Sequence, residues 1–551
     1  MFSFLFNRDS TKRSKALIEH IKNGDLDDVR DLLEKGANAN CKDDVYGLTA
    51  LSWACVKGHS DVALEMLKHE NVDVNTRDSG GRNALRHACA NGLSDVALEI
   101  LKCHNVDVNN AKDSDDRNAA YQVCGTRLSN VALEILKRKN VHVNVNYSHG
   151  TTALTWPYNV DLSNAELEIL KKEGVDFNAN DRDDGRTALF WACCNSLSDV
   201  AIKILKHDNV DVNVMHKDTG TTALFWACNR SLPDVAIEIL KHDYVDVNAK
   251  HKDTGTTALF WACNRSLPDV ALKILKDDDV DFNAKDKDGE TALFWACYKS
   301  LSDVAIEILK RDNVDVNAKH KDTGTTSLFW ACNKSLPDVA LEILKHDNVD
   351  LNAKDSDETT ALFWACCNSL SNVALEILKR DNADVKAKDK DTGTTLLALA
   401  CNRGLSDVAL EILKHDSVDV NAKDNEGRNA LFHACFKSLS DVALEILKRK
   451  NVDVNVKHGE CGTSLILACC TGQSDVALEI LRRDDADVNA KFKDGETALM
   501  LACCAGQSDV ALEILRRDDV DVSTKDNHGM TALVLAYLNG HVDVAIEILK
   551  H

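Results

Sequence analysis

The stretch His216–Ala236 reads HKDTGTTALFWACNRSLPDVA, and the same letters return unchanged at His251–Ala271, 35 residues later. A shorter phrase inside it, Thr/Asn-Ala-Leu-x-x-Ala-Cys with local variants, recurs along the chain. Its first residue falls at Thr49, Asn83, Asn118, Thr152, Thr187, Thr222, Thr257, Thr291, Thr326, Thr360, Thr395, Asn429, Thr463, Thr497 and Thr531. Every step is 34 or 35 residues. A fixed period of this size is the signature of a solenoid, in which each unit contacts mainly its neighbours. Length alone would suggest about four domains at ~150 residues each; the period replaces that reading with one repetitive array.

One unit, Lys217 to His251, shows the physics. KDTGTT opens it with turn formers around Gly220. Thr222 can cap a helix start. Leu224, Ala227 and Cys228 then lie at i, i+3 and i+4, one face of a short helix. Pro233 marks the start of a second helix, where a missing N–H costs nothing, and Pro268 and Pro337 do the same in their units. In that second helix Val235, Ala236, Ile239 and Leu240 form the apolar face. YVDVNAKH is an extended arm leading to the next turn. Neither helix reaches the ~12–15 residues needed for marginal independent stability. Each must bury its apolar face against the next unit, which is why the unit is copied.

These residues resemble the ankyrin repeat, whose pattern is a turn finger, T-P-L-H-x-A-A, G-H, an apolar second helix and G-A-D-V-N. Thr463, Leu465, Ala468 and Gly472 match its first part, and Ala486-Asp487-Val488-Asn489 its last. The first unit matches at Gly24, Asp28-Val29, Leu32-Leu33 and Gly36-Ala37-Asn38. The resemblance covers about residues 14–551 and implies an all-α ankyrin-repeat solenoid of about sixteen repeats. Departures are regular. Ala usually replaces the proline and Phe the histidine. The glycine after the first helix becomes Ser196, Ser231, Ser266, Ser300, Ser335 and Ser369 in the middle of the chain. Most units carry one extra residue before the D-V-N arm.

The expected organisation is an N-terminal tail at 1–13, a capping repeat at 14–46, and two repeats at 47–116. Two degenerate repeats follow at 117–185, where Ala120, Gln122 and Pro157 weaken the pattern and a hinge is expected. A Trp- and Cys-rich centre spans 186–427. The C-terminal repeats span 428–551 and end in an incomplete cap, since Val544, Ile548 and Leu549 keep the interior pattern.

The formal net charge is −22, with acidic and basic residues mixed in every unit. No basic stripe for nucleic acid emerges. No run of ~18 apolar residues exists for a membrane span, and the start MFSFLFNRDSTKR is too short for a secretory signal core. The chain reads as cytoplasmic or nuclear. Of the 20 cysteines, Cys55, Cys89, Cys124, Cys193, Cys228, Cys263, Cys297, Cys332, Cys366, Cys401, Cys435, Cys469 and Cys503 share one repeat position. Stacked helices lie ~8–10 Å apart, too far for disulfides, and no paired C-x₂₋₄-C set for zinc occurs. They read as small core side chains. No G-x-S-x-G, phosphate-binding glycine loop or H-E-x-x-H occurs. No catalytic residue, metal or cofactor is expected.

All eight tryptophans stand four residues after the anchor, at Trp53, Trp156, Trp191, Trp226, Trp261, Trp295, Trp330 and Trp364. Later the slot holds Leu399, His433, Leu467, Leu501 and Leu535. Packing between neighbouring first helices is one reading. The other is a binding row, formed by Trp191, Trp226, Trp261, Trp295, Trp330 and Trp364 with Asn229-Arg230, Asn264-Arg265 and Asn333-Lys334 beside them. The fingers add Lys250, His251, Lys252, Lys285, Lys287, Lys319 and Lys321, which suit either solvent or an acidic partner. The expected function is a non-catalytic scaffold that binds another protein along a concave groove and the fingers. The alternative is an adaptor that recruits substrates to an enzyme complex such as a ubiquitin ligase. Weak self-association through the C-terminal end is a further expectation.

Overall fold

The computed structural model describes residues 2–109, 119, 122–123, 128–138, 141, 143, 170–172, 174–180 and 184–551. The pair of repeats expected to form a hinge at 117–185, including Ala120, Trp156 and Pro157, lies largely outside them. Two compact units make up the chain, Met1–Asp281 and Phe282–His551. Each is a ladder of short helix pairs. Among the described residues there are 29 α-helices, and extended pairing is limited to isolated bridges such as Lys42 with Thr49 and Lys319 with Thr326. The first helix runs Phe2–Asn23 and takes in residues expected to be a tail.

In the first unit the pair Ala223–Asn229 and Pro233–Ile239 represents the rest. Thr222 has extended backbone and its hydroxyl accepts the Phe225 N–H. Among the described residues a Thr or Asn does this at every anchor. The cap satisfies one of the N–H groups a helix start leaves orphaned. Pro233 takes the first helical position and Asp234 the first turn, as the sequence predicts.

Burial goes further round the first helix than the i, i+3, i+4 pattern indicates. Ala223, Leu224, Phe225, Ala227 and Cys228 are all at most 3% exposed. The helix is packed on both sides by its counterparts Ala188–Cys194 and Ala258–Asn264, and against its own second helix. A helix that is apolar nearly all round is the kind that sits in a core. The second helix needs only one stripe, and Val235, Ala236 and Ile239 are fully buried while Leu240 is half-buried.

The D-V-N arm has its own physical reason. Asn213 donates from Nδ2 to the Tyr244 carbonyl at 2.7 Å and accepts the Asp246 N–H at 2.8 Å. Asn248 repeats both bonds with Asp279 and Asp281. In the second unit Asn317, Asn352 and Asn455 do the same. One amide side chain thus ties each arm to the next by two hydrogen bonds. Lys386 stands where this asparagine would be, and its own N–H donates to Asp384.

The loop after the first helix keeps its backbone despite the serines. Gly58, Gly92, Gly404 and Gly472 have φ between 72° and 79°, while Ser196, Ser231, Ser266, Ser300, Ser335 and Ser369 have φ between 56° and 62°. Both sets are left-handed, a region that costs an L-residue roughly 1–2 kcal/mol. At the finger tip, Gly220 has φ 71°, and a Cβ there would meet the Lys250 carbonyl of the next finger at 2.9 Å.

At the C-terminal repeat Val544 and Ile548 are buried but Leu549 is 72% exposed. Val534, Tyr537, Leu538, Val542 and Ile546 are exposed with it.

Candidate functional site

The tryptophans of the central repeats are half-buried. In the first unit Phe225 meets its own Trp226 at 5.7 Å and Trp261 of the following repeat at 6.4 Å, both edge to face. In the second unit Phe329 meets Trp330 at 5.4 Å and Trp364 at 6.3 Å. Such pairs are worth about 0.5–1.5 kcal/mol beyond area burial. In four of the tryptophans the indole N–H has an acceptor five residues back. Trp226 donates to Thr221 Oγ1 at 3.1 Å, Trp261 to Thr256 at 3.2 Å, Trp330 to Thr325 at 3.2 Å and Trp364 to Thr359 at 2.9 Å.

Exposed cations sit over the outer ring faces. Arg230 lies 5.4 Å from the Trp226 ring and Arg265 5.2 Å from Trp261. Lys299 lies 5.6 Å from Trp295, and Lys334 5.4 Å from Trp330. These cations occupy the C-cap of the first helix, where the helix dipole also favours positive charge. Asn229, Asn264 and Asn333 are the last helical residues beside them and are half-buried. The Asn229 carbonyl accepts from Arg265 Nε at 3.0 Å and that of Asn333 from Asn368 at 2.9 Å. Trp191 differs, because Arg186 lies over its ring at 4.3 Å.

Two things escape the sequence reading. Tyr298 takes the position of Asn229 in its own repeat, 5.2 Å from Trp295 and 4.6 Å from Trp330, with Lys299 and Lys334 over it. The other is the partner that the residue before the cap can supply to the slot. A Thr there serves a Trp. At Arg82-Asn83 and Arg428-Asn429 the slot holds a His. His87 Nε2 lies 2.9 Å from Asp78, which also pairs with Arg82; His433 lies 3.4 Å from Asp424, which pairs with Arg428 at 2.9 Å. Both aspartates are held below the usual carboxylate range: backbone N–H and Arg/His bonds outweigh burial. Burial lowers both histidines. The caps Asn83 and Asn429 also donate to the Asp107 and Asp453 carbonyls of the next arm.

The finger lysines are largely committed within the chain. Lys250 pairs with Asp281 at 2.5 Å, Lys285 with Asp315 at 2.6 Å and Lys319 with Asp350 at 2.5 Å. Lys252 donates to the Lys217 carbonyl. The expectation that they await an acidic partner is weakened accordingly.

The described cysteines of the ladder are buried. Burial pushes the thiols of Cys55, Cys89, Cys263, Cys332 and Cys401 up to about 12, against the thiolate a nucleophile needs. Among the described residues one grouping has metal-ligating types, His20, Asp25 and Asp28, and none of its members is buried. No helix among the described residues is long and apolar enough to cross a membrane.

A family model described as ankyrin repeats (3 copies) matches residues 17–112, 158–251, 234–320, 305–389, 370–458 and 463–551. The chain belongs to the ankyrin-repeat family. It is also 39% identical over 77 residues to the 26S proteasome non-ATPase regulatory subunit 10 of Dictyostelium discoideum. That match covers 14% of this chain and 32% of the relative, about a third of its length. Ankyrin repeats generally mediate protein–protein interaction, and they are typically non-catalytic.

Proposed function

We propose that this ankyrin-repeat protein is a non-catalytic scaffold that binds a partner protein through its tryptophan–cation row. The observation that carries the reading is the repeated placement of an exposed guanidinium or ammonium over a half-buried indole, at Arg230/Trp226 and Arg265/Trp261 in one unit and Lys299/Trp295 and Lys334/Trp330 in the other. Trp, Tyr and Arg are the residues that dominate interface energetics. Similar sites at a fixed spacing suit an extended or repetitive ligand, where linked weak contacts gain avidity. Asn229, Asn264 and Asn333 border the row and Tyr298 extends it.

The test is Arg230→Glu with Arg265→Glu in the full chain. Melting should move by no more than about 2 kcal/mol equivalent, because two cation–π contacts are removed and each at an exposed site is worth ~0.5–1 kcal/mol. A partner captured by the wild-type chain should be lost. Unchanged affinity for that partner would sink the row as the binding surface. The likeness to a proteasome regulatory subunit favours a second reading, a substrate-recruiting adaptor for an enzyme complex such as a ubiquitin ligase. Recovery of such a complex with the wild-type chain, identified by mass spectrometry, distinguishes it from a plain scaffold. The exposed Tyr537, Leu538, Val542 and Leu549 support weak self-association, which sedimentation at increasing concentration would reveal.

A further inference from the structure

Two sets of basic residues in the second unit are paired within the chain, and a third is not. Lys310, Lys345 and Lys379 in the second helices each pair with a glutamate three residues back, at 2.5 to 2.8 Å. Lys285, Lys354 and Lys423 in the arms each pair with an aspartate of the next arm, at 2.6 to 3.0 Å. The third set is Lys299, Lys334, Arg403 and Lys437. All four are exposed, and among the described residues none of them forms an ion pair. They share one place in the repeat. Each is the C-cap of a first helix, with φ between −94° and −82° and ψ between −4° and 7°. The five first helices from Ala292–Tyr298 to Ala430–Phe436 stack in order, and stacked helices lie ~8–10 Å apart. The cations therefore line one edge of the stack. The missing member is Asn368, half-buried, whose amide donates to the Cys332 and Asn333 carbonyls at 2.9 Å.

The helix dipole favours a cation at this end, but it does not set the line. It acts equally on the last three repeats, where the same place holds Thr471, Ala505 and Asn539. Nor do neighbouring acids neutralise it. The acids that follow in sequence, Asp303, Asp338, Asp407 and Asp441, stand in the first turns of the second helices, where the positive end of the dipole holds them. None pairs with a cation of the line. Glu290, the acid beside Trp295, faces His320. Lys299 and Lys334 both lie against the Tyr298 ring, 5.3 and 5.2 Å from its centre, so two like charges share one phenol with no carboxylate paired to either. At the far end Lys437 lies 5.5 Å from Phe436, which is 47% exposed. In a chain of net charge −22 this is a run of unanswered positive charge.

We infer that this line binds an extended acidic segment of the partner protein, with carboxylates meeting Lys299, Lys334, Arg403 and Lys437. Three residues of extended chain span about 10 Å, one helix step. The acids therefore belong at the first, fourth, tenth and thirteenth positions of the segment, and the seventh faces Asn368. The inference rests on the scaffold reading; it names the chemistry of the partner and carries the surface beyond the last tryptophan.

The probe is a blocked, fluorescently labelled thirteen-residue peptide of serine and glycine with glutamate at those four positions, titrated into the full chain and followed by anisotropy. Saturable binding is expected, at least fivefold tighter than for a peptide of the same composition with its four glutamates adjacent. Lys299→Gln with Lys334→Gln, and separately Arg403→Gln with Lys437→Gln, should each weaken binding at least tenfold. Lys310→Gln with Lys345→Gln makes the same change of net charge at paired lysines and should leave binding within twofold. Circular dichroism checks each fold; if one pair of row variants unfolds, the other pair decides. No saturation up to millimolar peptide, equal binding of the two peptides, or equal weakening by the control pair overturns the inference. So does a single-stranded oligonucleotide that displaces the peptide at lower concentration, which makes the line a phosphate site. If the peptide fails while Arg230→Glu with Arg265→Glu still releases a captured partner, this inference alone falls and the scaffold reading stands. If the peptide binds as expected and that double reversal is silent, the row of the first unit fails and this line stands.

Discussion

The repeats starting at Thr222 and Asn429 fill the same slot in opposite ways. In the first the slot holds Trp226, whose N–H is met by a single Thr hydroxyl and whose outer face is open to an exposed cation. In the second it holds His433, enclosed with Asp424 and Arg428 in a buried polar set, its side chain only 4% exposed. The backbone around them is alike: both anchors cap the helix, and both loops turn through a left-handed serine, Ser231 and Ser438. The shared requirement is that a polar edge at the rim of a packed helix must have a partner. A lone Trp needs one acceptor. A His needs an ionised partner, which in turn needs its own donors. One solution leaves an aromatic face for binding, and the other uses the slot for internal rigidity.

The largest effect should come from breaking the polar set. Asp424→Ala removes the group that accepts the Glu426 and Arg428 N–H bonds and pairs with the guanidinium. Leaving Arg428 and His433 without it should cost about 3 kcal/mol. The loss should appear as lowered hydrogen-exchange protection of Ala430–Phe436, with Ala223–Asn229 unaffected. Equal loss in both helices would mean that the two repeats are not energetically local. Trp226→Ala should cost somewhat less, about 2–3 kcal/mol, since the ring is half-buried and core Trp truncations cost ~3–5. A change in melting below about 0.5 kcal/mol would show that the ring contributes contact surface and little packing.

The repeat at Thr291 is an intermediate case. Glu290 replaces the Thr, is 7% exposed, and faces Asp286, Asp288, Trp295 and His320, whose Nε2 lies 3.6 Å away. Burial, with Asp286 second, raises its carboxyl to about 7 from an ordinary 4.5, although the Trp295 hydrogen bond opposes this. Because the folded value lies above the unfolded one, the stabilising contribution is complete below about pH 4.5. It is lost as pH rises from there through about 7. Glu290→Thr should therefore stabilise the repeat by on the order of 1–2 kcal/mol at pH 8, and the gain should vanish near pH 4.5. A gain independent of pH would refute this account. The smallest effect tests the shared backbone. Ser231→Gly and Ser438→Gly should each stabilise by about 0.5–1 kcal/mol, and equally, if the two repeats differ only in the slot. Unequal gains would point to a second difference in the loop.

The period, the caps and the order of the two helices were legible in the sequence because each rests on local chemistry. Thr222 bonds three residues on, Pro233 acts at its own position, and the apolar face of Pro233–Ile239 follows from 3.6-residue spacing. The row of tryptophans was legible as a row, since identity at a fixed step needs no coordinates. Its chemistry was not. That Thr221 serves Trp226, that Arg82 and Asp78 serve His87, and that Lys250 is taken up by Asp281 depend on how the finger folds back over the helix and onto the next arm. Nor could spacing show that Ala223 and Phe225 are buried along with Leu224, because that burial comes from neighbouring repeats 35 residues away on either side. The sequence by itself determined the repeating unit. Only the packing of one repeat against the next decided which polar groups have partners.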